Sequence, residues 1–122
     1  MVLFNLSGHT PPGGSEIYEQ IVNITIPNIP VTNEGITNFA KKILKTLPQY
    51  TMEKGEFEVI LPGMTPLAAV VLAMLHGQYG QFPIIRFAVR QPNGTFKLSE
   101  PLDLQEVRLA AREERQKEGA AE

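Results

Sequence analysis

The chemistry-bearing residues of this chain concentrate near its start. Asn5-Leu6-Ser7-Gly8-His9-Thr10 brings an amide, two hydroxyls and an imidazole into six residues. Gly8 lets the backbone approach a bound group closely. An imidazole is the side chain best suited to proton transfer near neutral pH, and the hydroxyls beside it can donate to a developing negative charge. A histidine in a loop is also an ordinary surface residue, and both readings of His9 stand at this level. A second segment, Leu61-Pro62-Gly63-Met64-Thr65-Pro66, has the composition of a loop that leads into a helix. The backbone N–H groups of Gly63 and Met64, backed by the positive end of that helix, favour a phosphate. The same residues read equally as a plain turn before a capped helix. Arg86 is the one charge in the apolar run Pro83-Ile84-Ile85-Arg86-Phe87. It is either a phosphate ligand or an inward charge that guards a sheet edge.

Strands and helices must hold these residues in place. Val2-Leu3-Phe4-Asn5-Leu6 reads as a buried strand. Residues 7–15 follow, with three glycines and two prolines in nine positions, which makes them a loop. One or two helical turns lead to Gln20, and residues 21–26 form a β-branched strand stopped by Pro27 and Pro30. The clearest helix covers 34–47. Its apolar face is Ile36, Phe39, Ala40, Ile43, Leu44 and Leu47, with Lys41, Lys42 and Lys45 on the solvated side. Thr32 or Asn33 caps it and Pro48 ends it.

Residues 57–61 make a third strand. Thr65 as N-cap and Pro66 as first helical residue then open a helix over 67–76, closed by Gly77. That helix is apolar nearly all round, which predicts burial against the sheet and against another subunit. His76 near its end complements the helix dipole. Residues 83–89 form a fourth strand, Asn93-Gly94 marks a hairpin turn, and 95–98 returns antiparallel at an edge. Pro101 and Asp103 open a last helix with the narrow stripe Leu104, Val107 and Ala111, and residues 117–122 fray. This alternation predicts one domain over 1–116 with a Rossmann-like α/β fold: a mostly parallel sheet, an antiparallel edge hairpin and helices on both faces. Ligands of such sheets bind beyond the carboxyl ends of the strands, where both candidate loops begin.

Composition removes several function classes. A length of 122 residues supports one core. The absence of cysteine excludes disulfides and thiolate chemistry. The only histidines, His9 and His76, are far apart and no carboxylates stand at ligand spacing, so no metal site is expected. A net charge of −2 argues against a non-specific binder of duplex DNA. The longest apolar stretch, 67–75, is about half of a membrane span. The opening residues lack the basic region and cleavage site of a signal peptide, so the expected location is cytoplasmic. There is no Walker loop, dinucleotide fingerprint, nucleophile elbow or paired-carboxylate motif, and no cofactor is expected.

Taken in order, several segments resemble a known family. Asn5-Leu6-Ser7-Gly8-His9 follows a first strand. Leu61-Pro62-Gly63-Met64-Thr65-Pro66-Leu67 precedes an alanine-rich helix. His76-Gly77 and Phe82-Pro83-Ile84-Ile85 come next. This order resembles the small stand-alone CARF-like proteins (CRISPR-associated Rossmann fold) of the Csx type in type III CRISPR systems, over most of 2–98. The resemblance implies a homodimer that binds a cyclic oligoadenylate, cyclic tetra-adenylate, across its two-fold axis, since a ring of that symmetry meets the same loops twice. It implies that Ser7, Gly8, His9 and Thr10 line the first loop and that Gly63, Met64 and Thr65 hold a phosphate. Asn5 and Arg86 are further ligand candidates from the residues themselves. Relatives either sequester the ring or cleave it, and both uses damp the antiviral signal. Cleavage needs no metal: His9 would be the base for the ribose hydroxyl and Ser7 or a backbone N–H the donor to the developing charge. One histidine without a paired lysine or glutamate is a thin catalytic set, so binding with slow or absent cleavage is the expectation. A structural α/β dimer without a nucleotide is the remaining alternative.

Overall fold

The computed structural model describes residues 1–121. Its centre is β1 (Val2–Asn5), whose four residues are all buried. A strand buried on both faces needs a neighbour on each side and cover above and below. β2 (Gln20–Asn23) and β3 (Phe57–Ile60) supply the neighbours, both parallel to β1, with Asn5 opposite Asn23 on one side and Ile60 on the other. β4 (Ile84–Arg86) adds in parallel to β3, and β7 (Leu102–Asp103) closes the far edge antiparallel. The order is β2-β1-β3-β4-β7, a Rossmann-like, mostly parallel sheet.

Side-chain alternation assigns the two faces. Val2, Phe4, Leu6, Val59 and Ile85 face α1 (Asn33–Thr46) and α3 (Thr65–Tyr79), which pack on one another and on the sheet. The Phe4 and Phe57 rings stack there at 4.9 Å. The β2–α1 connection lies along the same core through Ile24, Ile26 and Ile29. α1 starts where the sequence allows: the Thr32 hydroxyl accepts from the Gly35 N–H at 3.0 Å. The second face carries a smaller cluster, Leu3 and Ile60 under Tyr18 and Leu98. Its cover is the 3-10 turn Ser15–Ile17 and a separate two-stranded hairpin, β5 (Ala88–Arg90) with β6 (Phe96–Leu98).

Several features depart from the sequence reading, beginning with β2, which ends at Asn23 and not at Ile26. The run 83–89 is two strands, because the Phe87 N–H donates to the Ser99 hydroxyl at 2.9 Å and the chain leaves the sheet there. The hairpin signalled by Asn93-Gly94 therefore pairs with itself, and the antiparallel edge is β7 instead. A short helix, α2 (Gln49–Lys54), buries Met52 between α1 and β3. α3 passes through Gly77 and ends at Gly80, which takes the left-handed φ of +77°. The extra turn brings the Tyr79 hydroxyl to Met52 Sδ at 3.6 Å, a contact that offsets an internal glycine. Finally, α3 buries Leu67, Val71 and Leu75 but exposes Ala69 and Ala73, so in the single chain it is buried on one side only.

The last helix, α4 (Leu104–Ala121), is capped by Asp103 Oδ1, which accepts from the Gln105 and Glu106 N–H groups. It runs to Ala121, across residues that the sequence assigns to a frayed tail, and Glu122 lies outside the described residues. Among the described residues no helix is long and apolar enough to cross a membrane.

Gly35 tests the tight entry to α1. An added Cβ would sit 2.5 Å from the Pro30 carbonyl oxygen. In an unhindered helix Gly→Ala stabilises by about 1 kcal/mol. Here Gly35→Ala is expected to destabilise by about 1–3 kcal/mol, read from urea unfolding.

Candidate functional site

The strand order fixes where a ligand can sit. The chain leaves β1 towards β2 and later returns on the other side as β3, so the strand order reverses between β1 and β3 while all three strands stay parallel. In open parallel sheets the crevice beyond the carboxyl ends at this reversal is the binding position. Both candidate loops start there. Residues 6–14 leave β1 and residues 61–64 leave β3, and the Leu6 N–H still donates to the Ile60 carbonyl at 2.9 Å.

Asn5 builds the first loop. Its side chain is inside the protein, with the residue only 1% exposed. The Nδ2 group donates to the His9 carbonyl at 2.7 Å and to Asn23 Oδ1 at 2.9 Å. Its Oδ1 accepts from the Ser7 N–H at 3.3 Å and from the Ser7 hydroxyl at 2.7 Å. An amide has two donors and two acceptor sites, and all four are used. Ser7 Oγ in turn accepts from the His9 N–H at 3.1 Å. The turn closes through Gly8 at φ +80°, where an added Cβ would meet the Ile26 side chain at 3.4 Å.

These bonds reassign two of the sequence candidates. Asn5 and the Ser7 hydroxyl hold the loop together, so their polar groups are turned to the loop and not outward. Gly8, His9 and Thr10 are exposed on its outer side. Among the described residues the His9 imidazole makes no hydrogen bond, and it is free to meet a ligand.

The second loop differs from its prediction in a useful way. Thr65 is the first residue of α3 and not its cap; Met64 stands at the cap position and no side chain accepts from the first turn. The first helical bond runs from the Ala68 N–H to the Met64 carbonyl at 3.0 Å. Pro66 has no N–H and Leu67 is fully buried, so the open donor of the first turn that faces solvent is that of Thr65. α1, by contrast, has its Thr32 cap. Gly63 is exposed, and a Cβ built on it meets nothing within 4 Å. Met64 turns its side chain to the core, so its contribution to a ligand is its backbone.

Arg86 ends β4 beside the end of β3, on the face away from α1 and α3. Its Nε donates to Glu58 Oε1 at 3.0 Å and its Nη1 to the Ser99 carbonyl at 2.8 Å. The Tyr18 hydroxyl donates to the same Glu58 oxygen at 2.5 Å. β7 pairs with Ile84 and Ile85, which makes β4 an interior strand, and Arg86 lies one residue past that pairing with its guanidinium turned to Glu58 and Ser99. Glu58 and Tyr18 escaped the sequence reading. The available signal was that Glu58 and Arg86 are the lone opposite charges of two apolar strands. Burial, and then the Glu58 carboxylate, push the Tyr18 hydroxyl above the ordinary tyrosine range against a smaller opposing pull from Arg86.

The loops face outward as an open surface. A cleft of about 200 Å³ lies at the opposite end of the sheet, lined by Phe57, Leu75, Tyr79, Phe82 and Ile84. His76 is next to it, its ring 4.4 Å from that of Phe82. None of the loop candidates lines that cleft. Among the described residues no three His, Cys, Asp or Glu side chains group to hold a metal ion.

Two outcomes test this construction. Asn5→Ala removes both the brace and the partners of Ser7, His9 and Asn23, and is expected to cost about 2–4 kcal/mol in urea unfolding. Tyr18 has a raised folded-state pKa, so its share of stability is complete below pH 10.0 and is lost as pH rises above it. Tyr18→Phe is expected to flatten that decline, measured as unfolding free energy on either side of pH 10.0.

The chain matches no protein-family model, no curated protein and no solved structure.

Proposed function

We propose that this chain binds a cyclic oligoadenylate, cyclic tetra-adenylate, across a homodimer and damps type III CRISPR antiviral signalling in the cytoplasm by sequestering that messenger. The observation that carries this reading is the uncapped N-terminus of α3 beside the Asn5-braced loop, at the reversal point of the sheet. A phosphodiester is a small anion with oxygens that accept from backbone N–H groups and gain from the positive end of a helix. Such a contact needs no free lysine or arginine, which agrees with a chain of net charge −2. An open surface also suits a ring completed by a second copy, because each copy then covers half of the ligand.

Ring cleavage is the alternative, with His9 as base. It is the weaker reading, because the Ser7 hydroxyl already donates to Asn5 and accepts from His9 N–H. What remains is one exposed imidazole per copy without a partner to orient it. Sequestration asks only for the open donor and the exposed loop.

Thermal shift and calorimetry with cyclic tetra-adenylate test the proposal. A ligand at about a hundred times its dissociation constant adds roughly 2.7 kcal/mol of stability. Incubation in EDTA followed by product separation is expected to return the ring intact. Gly63→Val has open space in the free chain and is expected to fold normally but to bind at least about tenfold more weakly, because a side chain there stands between ligand and backbone. Absence of binding heat at micromolar protein would overturn the reading, and ring opening that His9→Ala abolishes would replace it with the cleavage reading.

A further inference from the structure

Of the six phenylalanines, Phe4 is buried and Phe39, Phe57 and Phe82 are half-buried. Phe87 and Phe96 are 49% and 51% exposed, and both belong to the segment that forms the hairpin. Phe96 is tied to the candidate site by backbone bonds. The Gly13 N–H donates to the Phe96 carbonyl at 2.9 Å, and the Leu98 N–H donates to the Gly13 carbonyl at 2.8 Å. This bridge is parallel, with Gly13 opposite Lys97. Phe96 is therefore opposite Pro12, two residues beyond Thr10.

Hairpin register settles the side on which Phe96 lies. The pairs Ala88–Leu98 and Arg90–Phe96 put those four residues on one face. Leu98 on that face enters the core with Leu3, Tyr18 and Ile60. Phe96 is one step further along the same inward face, past the rim of the core, and its ring stays half-exposed. Arg90 is directly across from it, and among the described residues its guanidinium has no ion-pair or hydrogen-bond partner. An open aromatic ring beside a free guanidinium, at the rim of the first loop, has the parts of a nucleotide subsite. The ring offers a π face to a base, and the cation serves the adjoining phosphate.

We propose that Phe96 and Arg90 form a nucleobase subsite in which Phe96 stacks on an adenine of the ligand and Arg90 meets the neighbouring phosphate; this rests on the ligand reading above. The proposal gives the hairpin a part in recognition in addition to its cover of Leu3 and Ile60. Phe87 supplies the control. It is equally exposed, but it lies outside β5 and does not pair with Phe96.

The test uses the full chain, which contains no tryptophan, so Phe96→Trp creates a single fluorescent reporter at the proposed contact. Cyclic tetra-adenylate is expected to quench that emission. Phe96→Ala is expected to keep the thermal midpoint of the free chain and to weaken binding on the order of ten- to a hundredfold. Phe87→Ala is expected to bind as the natural chain does. Natural-strength binding by Phe96→Ala, or a reporter that does not respond to saturating ring, overturns the subsite while leaving the ligand reading intact. Emission that changes with protein concentration in the absence of ring assigns this face to a second copy and likewise overturns it. If the natural chain itself does not bind the ring, the ligand reading fails and the subsite fails with it.

Discussion

The side-chain amide of Asn5 is the interaction on which the arrangement of the first loop depends. It occupies an interior position of the central strand, where an apolar residue would be cheaper to bury. All four of its hydrogen-bonding positions are matched, so the burial carries no unsatisfied group. Two of the bonds fix Ser7, one fixes the backbone at His9, and one ties β1 to the end of β2 through Asn23. Strand pairing and loop shape are thus a single cooperative unit. The left-handed turn at Gly8 and the outward face of His9 and Thr10 follow from that bracing.

The other end of the same loop is held by a different kind of chemistry. Tyr18 and Arg86 meet at Glu58, on the sheet face away from α1 and α3. A buried ion pair adds little net stability, since desolvation opposes the attraction, but its geometry admits few alternatives. Here it joins the 3-10 turn, β3 and β4, and through the Ser99 carbonyl it also reaches the chain that follows the hairpin. The segment between Asn5 and Tyr18 therefore has a neutral polar anchor at its start and a charged one at its finish. Between them it rests on β6 through Gly13.

Local periodicity made much of this fold legible. The stripe from Ile36 to Leu47 is a repeat within one helix, and Asn93-Gly94 states its turn in two residues, so neither depends on distant parts of the chain. The strand–loop–helix order was enough to place both candidate loops at carboxyl ends. What could not be read was direction and partnership. Residue type makes Asn5 a polar candidate, but only the position of Asn23 and the path of residues 7–9 turn it into a brace. Glu58 and Arg86 become partners only once β3 and β4 are adjacent. Gly77 reads as the stop of α3, but the helix continues to Tyr79, whose hydroxyl meets Met52, and Gly80 closes it. α2 escaped because a six-residue helix with one buried side chain has no period to detect.

The bridge between Gly13 and the hairpin ties together opposite ends of the sequence. The acceptor for the Gly13 N–H is supplied by Phe96, and the donor to the Gly13 carbonyl by Leu98. A growing chain that has not yet produced β6 can form the β1–β2 and β1–β3 pairs, but it has nothing on which to rest the middle of its first loop. Contacts between residues so distant in sequence are also the slowest to close. The residues made first are therefore finished late, and the shape of the first loop is a property of the nearly complete chain. A fragment ending at β4 would lack the residues on which that loop rests.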